Sequence, residues 1–121
     1  MVAYRMIKIY GLKSCDTCRK AKKDFMLANR LFEFFDLKSD GVKKQKIFYW
    51  LEELGPETLI NKRSTTWREL EEPTKTNLNK SQLIDLVMLK PTLIKRPLFE
   101  LNDFVIVGYG DEQKKTLGVK G

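Results

Sequence analysis

The sequence predicts an α/β protein with a mixed four-stranded sheet and a helical insertion. Three observations predict it. The first 36 residues alternate between a strand pattern, a helical pattern and a second strand pattern. The middle of the chain keeps helical spacing in short pieces, and the last third reads as a hairpin followed by a helix.

Met6-Ile7-Lys8-Ile9-Tyr10 alternates apolar and polar residues and is rich in β-branched and aromatic side chains, so it reads as a strand that Gly11 punctuates. Met1 to Arg5, before it, read as an extended start or an expression remnant. Ala21, Phe25 and Ala28, with Met26 and Leu27, recur at helical spacing among Arg19, Lys20, Lys22 and Lys23, which predicts a helix from about Thr17 to Asn29. Phe32-Glu33-Phe34-Phe35-Asp36 reads as a strand, expected to pair in parallel with the first through a right-handed crossover. Leu37 to Val42 is a loop containing Gly41. Ile47, Trp50, Leu51 and Leu54 mark a helix that stops at Gly55-Pro56. From Glu57 to Leu89 the pattern is helical, broken at Pro73 and Pro91, and Leu83, Leu86, Val87 and Leu89 give the last piece a buried side. Pro97 to Leu101, Asn102-Asp103 and Phe104 to Val107 read as a β-hairpin. Asp111 begins a terminal helix, and Gly118 to Gly121 read as a frayed tail. Trp67, Trp50, Phe48 and Tyr49 are expected to pack structurally. The order β-α-β, helices, β-β-α is that of a thioredoxin-like fold with a helical insert. One domain over 1–121 is expected, its core about 6–40 and 91–117 and its insertion about 42–90.

A length of 121 residues suffices for one core. No apolar run approaches the roughly 20 residues of a membrane span, and no signal segment is recognisable, so a soluble cytoplasmic protein without membrane partners is expected. Twenty-three Lys and Arg against sixteen Asp and Glu give a net charge of +7. That balance favours anionic partners. The usual marks of nucleic-acid recognition are missing, so no direct nucleic-acid binding is expected.

The chemistry centres on Cys15-Asp16-Thr17-Cys18, which holds both cysteines of the chain. Cys15 falls in the turn between the first strand and the first helix. There the free N–H groups of the first helical turn and the positive end of the helix dipole favour a thiolate. Lys13, Arg19 and Lys20 are expected to push the same way, and Asp16 against it. Cys18, three residues on, lies on the same helix face one turn deeper, a spacing that suits an attacking Cys15 and a resolving Cys18. Two cysteines that merely pack are the alternative. A structural zinc site needs about four ligands, and with two Cys and no His only carboxylates could complete it, so no metal is expected. The absence of histidine also excludes Ser-His-Asp and Cys-His nucleophiles, leaving thiol exchange and attack on soft oxidised centres.

Four blocks carry a resemblance: Tyr10-Gly11 leading to Cys15-Asp16-Thr17-Cys18-Arg19-Lys20-Ala21, then Asn61 to Arg68, Ile94-Lys95-Arg96-Pro97-Leu98, and Val107-Gly108-Tyr109. In this order and spacing they resemble the ArsC/Spx family over nearly the whole chain. The resemblance implies that Cys15 is the nucleophile that in arsenate reductases attacks the arsenic oxyanion. It implies that Arg63 and Arg96 are two of three arginines that hold that oxyanion, consistent with the fit of guanidinium forks to tetrahedral anions. Pro97 matches the proline that faces the cysteine loop, where a cis bond is usual. The third arginine has no counterpart between Phe104 and Gly110, and Lys114 and Lys115 are the nearest cations downstream. Cys18 is shared with the Spx-type regulators, whereas the stretch from Arg63 to Trp67 resembles a branch proposed to contain glutathione-dependent thiol reductases.

Two readings result. In the preferred one the chain is a thiol oxidoreductase acting on an oxyanion or a disulfide, with no bound cofactor and with glutathione, glutaredoxin or thioredoxin as external thiol donor. In the alternative it is a Spx-like redox sensor, in which oxidation of Cys15 and Cys18 changes binding to RNA polymerase.

Overall fold

A computed structural model describes residues 6–119 apart from 73, 74, 76 and 77. The expected break at Pro73, the first five residues and the last two lie outside the described residues. The chain divides into two compact units, one from the segments up to Asp36 and from Arg96 onward, the other from Leu37–Lys95.

The first unit is an α/β layer. Strands β1 (Ile7–Gly11) and β2 (Phe32–Asp36) run parallel on either side of helix α1 (Asp16–Leu27) in sequence, while β3 (Leu98–Glu100) and β4 (Val105–Val107) form the hairpin. The sheet order is β2-β1-β3-β4, with β1 parallel to β2 and antiparallel to β3, so the sheet is mixed as the sequence predicts. The period of two puts Ile7 and Ile9 on one face, where they join Ala21, Phe25, Phe99, Leu101, Leu117 and Val119 in one core. Phe25 stacks on Phe99 with ring centres 5.9 Å apart and meets Phe32 edge-on. On the opposite face Tyr10 stacks on Phe35 at 5.0 Å and its hydroxyl donates to the buried Glu100 at 3.3 Å.

Helix α1 ends two residues earlier than its pattern predicts, and the reason is local. Asn29 adopts a left-handed φ of 55°, a conformation asparagine tolerates. Its N–H donates to the Met26 carbonyl and the Arg30 N–H to that of Phe25, which closes the helix in a Schellman motif. Met26 and Leu27 consequently face solvent, and Ala21 and Phe25 carry the packing. The terminal helix α6 (Asp111–Leu117) closes in the same way on Gly118, at φ 72°. There the Val119 N–H bonds the Lys114 carbonyl at 3.0 Å, and Val119 turns into the core. The expected frayed tail is therefore anchored through Val119, because the αL glycine turns the chain back onto the sheet.

The second unit is helical, with α2 (Lys44–Leu54), α3 (Pro56–Leu59), α4 (Thr65–Arg68), α5 (Lys80–Leu89) and a 3-10 turn (Pro91–Leu93). Its buried residues fall on helical stripes: Ile47, Trp50 and Leu51 from α2, and Leu83, Ile84 and Val87 from α5. An isolated bridge pairs Ile60 with Ile94. Asn79 and Gln82 cap α5 reciprocally, side chain to backbone, at 2.8 and 3.0 Å. Trp50 packs as expected and Trp67 is half-buried beneath the Lys62 ammonium, but Phe48 and Tyr49 are exposed. With Ile47, Trp50 and Leu51 turned inward, the 100° step of the helix leaves positions 48 and 49 facing out. No helix among the described residues is long and apolar enough to cross a membrane.

Candidate active site

Cys15 is the N-cap residue of α1, with extended backbone at φ −85° and ψ 121°. Its N–H donates to the Leu12 carbonyl at 3.1 Å and its carbonyl accepts the first helical bond from the Arg19 N–H at 3.0 Å. The loop between β1 and α1 is tied to the end of β2, where buried Asp36 accepts the Lys13 N–H at 2.8 Å. Cys15 is half-buried, Cys18 is buried, and both thiols are free.

The two thiols differ sharply in acidity. Burial opposes ionisation of Cys15, but the Cys18 N–H, the Cys18 thiol, the Thr17 N–H and the charge of Arg96 together outweigh it and lower its pKa. No side-chain cap bond is formed by the thiol, yet the amides of the first turn favour the thiolate. Cys18 is pushed up to about 12, chiefly by burial and then by its hydrogen bond to Cys15 and the Cys15 charge, against the lowering effects of the Leu12 N–H and Arg96. One sulfur is therefore ready to ionise and the other is held as a thiol.

The cation that acts on both thiols is Arg96, not Lys13, Arg19 or Lys20 as the spacing in sequence predicts. Arg19 turns back to pair with Asp16, and Lys20 pairs with Asp24 at 3.4 Å. Both cations are thus engaged by carboxylates of α1 itself. Arg96 reaches the site because it begins the segment leading into β3, which lies beside β1. The Arg96-Pro97 peptide is cis, and buried Pro97 accepts the Gly108 N–H through its carbonyl at 2.9 Å.

Arg63 belongs to the second unit. It is exposed in the turn before α4, where its N–H donates to Asn61 Oδ1 at 3.1 Å and Ser64 caps the helix by accepting the Trp67 N–H at 3.2 Å. Where the third arginine would be sought, after β4, the Gln113 side chain instead accepts the Gly110 N–H at 2.9 Å and donates to the Val107 carbonyl at 3.2 Å. Lys114 lies over the Tyr109 ring at 5.1 Å.

Three residues that shape the site escape a reading of the sequence. Gly11 lies within β1 and not after it. Asp36 is visible only as the last residue of a strand pattern. Asp24 is a buried carboxylate on the helix that carries both cysteines, and it accepts the Tyr109 hydroxyl at 2.6 Å. That bond, more than the Lys20 contact, holds the Asp24 pKa below its ordinary value, while burial and the Asp24 partner raise that of Tyr109.

A mixed four-stranded sheet with a thiol at the N-terminus of its first helix, under the charge of the arginine that precedes a cis proline, defines a thioredoxin-like α/β protein. The chain belongs to the ArsC family, whose profile matches residues 10–117. It is 35% identical to an uncharacterized protein of Haemophilus influenzae over 89% of this chain and 95% of that one. The global transcriptional regulator Spx of Lactiplantibacillus plantarum is 28% identical over 89% of this chain and 83% of the regulator. Among solved structures, the YffB protein superposes with a TM-score of 0.85 at 32% identity, covering 92% of this chain and 97% of that chain.

Proposed function

We propose that the chain is a cytoplasmic thiol-disulfide oxidoreductase in which Cys15 attacks and Cys18 resolves. One observation carries this reading: Cys15 sits at the start of α1 with a lowered pKa, directly beside a buried Cys18 held as a thiol. The Cys15 thiolate attacks one sulfur of a disulfide substrate. A new S–S bond forms, the old one breaks, and the leaving thiolate takes a proton from water. The mixed disulfide removes the charge on Cys15, one of the causes that raise Cys18, so Cys18 loses its proton more readily at that point. Cys18 then attacks Cys15 Sγ, expels the second leaving thiolate and closes the internal disulfide, which glutathione or thioredoxin reduces.

Arsenate fits the same scheme. A Cys15–arsenic bond forms with loss of water, and attack of a second thiol on Cys15 Sγ leaves the electron pair on arsenic and releases arsenite. Arg96 is proposed to hold the oxyanion by paired charged hydrogen bonds.

The deciding experiment supplies a small disulfide and, separately, arsenate to the purified protein, with thioredoxin or with glutathione plus glutaredoxin as donor and Cys15→Ser as blank. Turnover above the blank with either substrate is expected. Turnover equal to the blank with both would overturn the enzyme reading. A second reading is favoured by the likeness to Spx: a redox-sensing regulator whose Cys15–Cys18 oxidation changes binding to RNA polymerase. It predicts redox-dependent co-elution with purified polymerase and no turnover.

A further inference from the structure

Strand β1 ends on a residue without a side chain, and the Cys18 thiol fills the space that a side chain would take. A β-carbon on Gly11 would fall well inside contact distance of Cys18 Sγ, 3.3 Å from Cys18 Cβ and 3.4 Å from Phe34 Cε1. Backbone freedom is not the reason for glycine here, since Gly11 is not among the residues with positive φ. The reason is room.

None of the groups around that space is free to give way. Gly11 is held in the parallel ladder opposite Asp36, and Asp36 also binds the Lys13 N–H two residues further on. Cys18 is fully buried on the face of α1 that seats Ala21 and Phe25 in the core. Its sulfur is directed at the Leu12 N–H and at the Cys15 thiol. Phe34 is covered by the Lys22 ammonium, 4.2 Å from its ring centre.

We infer that Gly11 is a positioning residue that seats the Cys18 thiol within reach of Cys15, so that any side chain at position 11 stalls the pair at the mixed-disulfide stage. The inference rests on the dithiol reading above. With glutathione disulfide as oxidant, Cys15 first forms a mixed disulfide and expels one glutathione thiolate. Cys18 then attacks Cys15 Sγ, the mixed bond breaks and the second glutathione leaves, so two protein thiols are oxidised and one glutathione disulfide becomes two glutathiones. A β-carbon at position 11 spares the first step and obstructs the second.

The test exposes the wild-type chain, Gly11→Ala and Cys18→Ala to glutathione disulfide and follows acid-quenched samples by mass spectrometry. The wild type should close to the internal disulfide and Cys18→Ala should stop as the glutathione adduct. Gly11→Ala should accumulate the adduct, its closure slowed by about tenfold or more, as overpacking by one methyl commonly shifts an equilibrium by that factor. Alkylation of its Cys15 near neutral pH should stay close to the wild-type rate, a split that general loosening of the fold would not produce. Closure at the wild-type rate would overturn the inference. A thermodynamic cycle covers a Gly11→Ala chain that fails to fold: the alanine should cost far less stability when Cys18 is also alanine, and an equal cost in both backgrounds, or failure of the double variant to fold, overturns it. A wild-type chain that never closes the disulfide would refute the dithiol reading itself, and with it the role given to Gly11, whereas normal closure in wild type and Gly11→Ala alike would refute only the latter.

Discussion

At the scale of the residue, three positions along one turn of helix separate two thiols of the same intrinsic acidity. The first turn's amides and Arg96 act together on Cys15, whereas Cys18 is enclosed and shares only part of that field. Alkylation followed against pH is therefore expected to report one reactive thiol with an apparent pKa below the ordinary value of about 8.5. Cys15→Ser should abolish modification near neutral pH, because burial, the largest of the causes that raise Cys18, persists in that variant and keeps it a thiol. Comparable alkylation rates in Cys15→Ser and Cys18→Ser would refute the assignment. Arg96→Ala removes a charge that favours the Cys15 thiolate, so the pKa rises and the neutral-pH rate falls by about two- to tenfold, since one pKa unit is a factor of ten in thiolate. The same variant should weaken protection of Cys15 by millimolar sulfate or phosphate, if Arg96 holds an anion as proposed.

At the scale of the element, α1 is positioned at both ends. Near its start the Lys13–Asp36 bond ties the preceding loop to β2, and in its last third the buried Asp24 is bonded by Tyr109 at 2.6 Å. Tyr109→Phe leaves a buried carboxylate without that donor and should cost about 1.5–3 kcal/mol in denaturant unfolding. The pH dependence has a definite sign. Asp24 has a lowered pKa in the folded chain, so its contribution is present above the unfolded carboxylate value of about 3.9 and is lost as pH falls through the folded value. The stability gap between wild type and Asp24→Asn should accordingly be widest near neutrality and close in strong acid; a gap that stays constant with pH would argue against the ionised bond. At the other end of the unit, truncation after Gly118 removes the buried Val119 from the core and should cost about 1.5–3 kcal/mol.

At the scale of the whole molecule, each unit has its own large aromatic centre. Phe99 stacks on Phe25 beneath the sheet, and Trp50 is fully buried in the helical unit. Alanine at either position should cost about 3–5 kcal/mol, with hydrogen-exchange protection lost first in the unit that carries the change. Uniform loss across both would mean that the two unfold as one.

The strand-helix-strand start was legible because it rests on local rules: alternation for β1 and β2, helical spacing for Ala21 and Phe25, and the placement of Cys15 at the junction. The more acidic thiol was legible for the same reason, since a helix N-terminus favours a thiolate. Local rules failed where a neighbour distant in sequence decides. Arg19 and Lys20, near Cys15 in sequence, turned out to pair with Asp16 and Asp24, and the charge that reaches the thiols comes from Arg96, brought in by the pairing of β3 with β1. Gly11 reads as punctuation until α1 is laid against the sheet and the Cys18 sulfur is found in its place. Asp24 carries no signal in the sequence, and its role emerges only when Tyr109 arrives from beyond β4. The sequence by itself determined which elements form and which thiol ionises more readily, because both depend on backbone hydrogen bonding and on side-chain spacing within one turn. Only the tertiary structure decided which cation tunes the thiols, what seats Cys18 and what holds α1, because those depend on contacts across strands that the chain brings together only on folding.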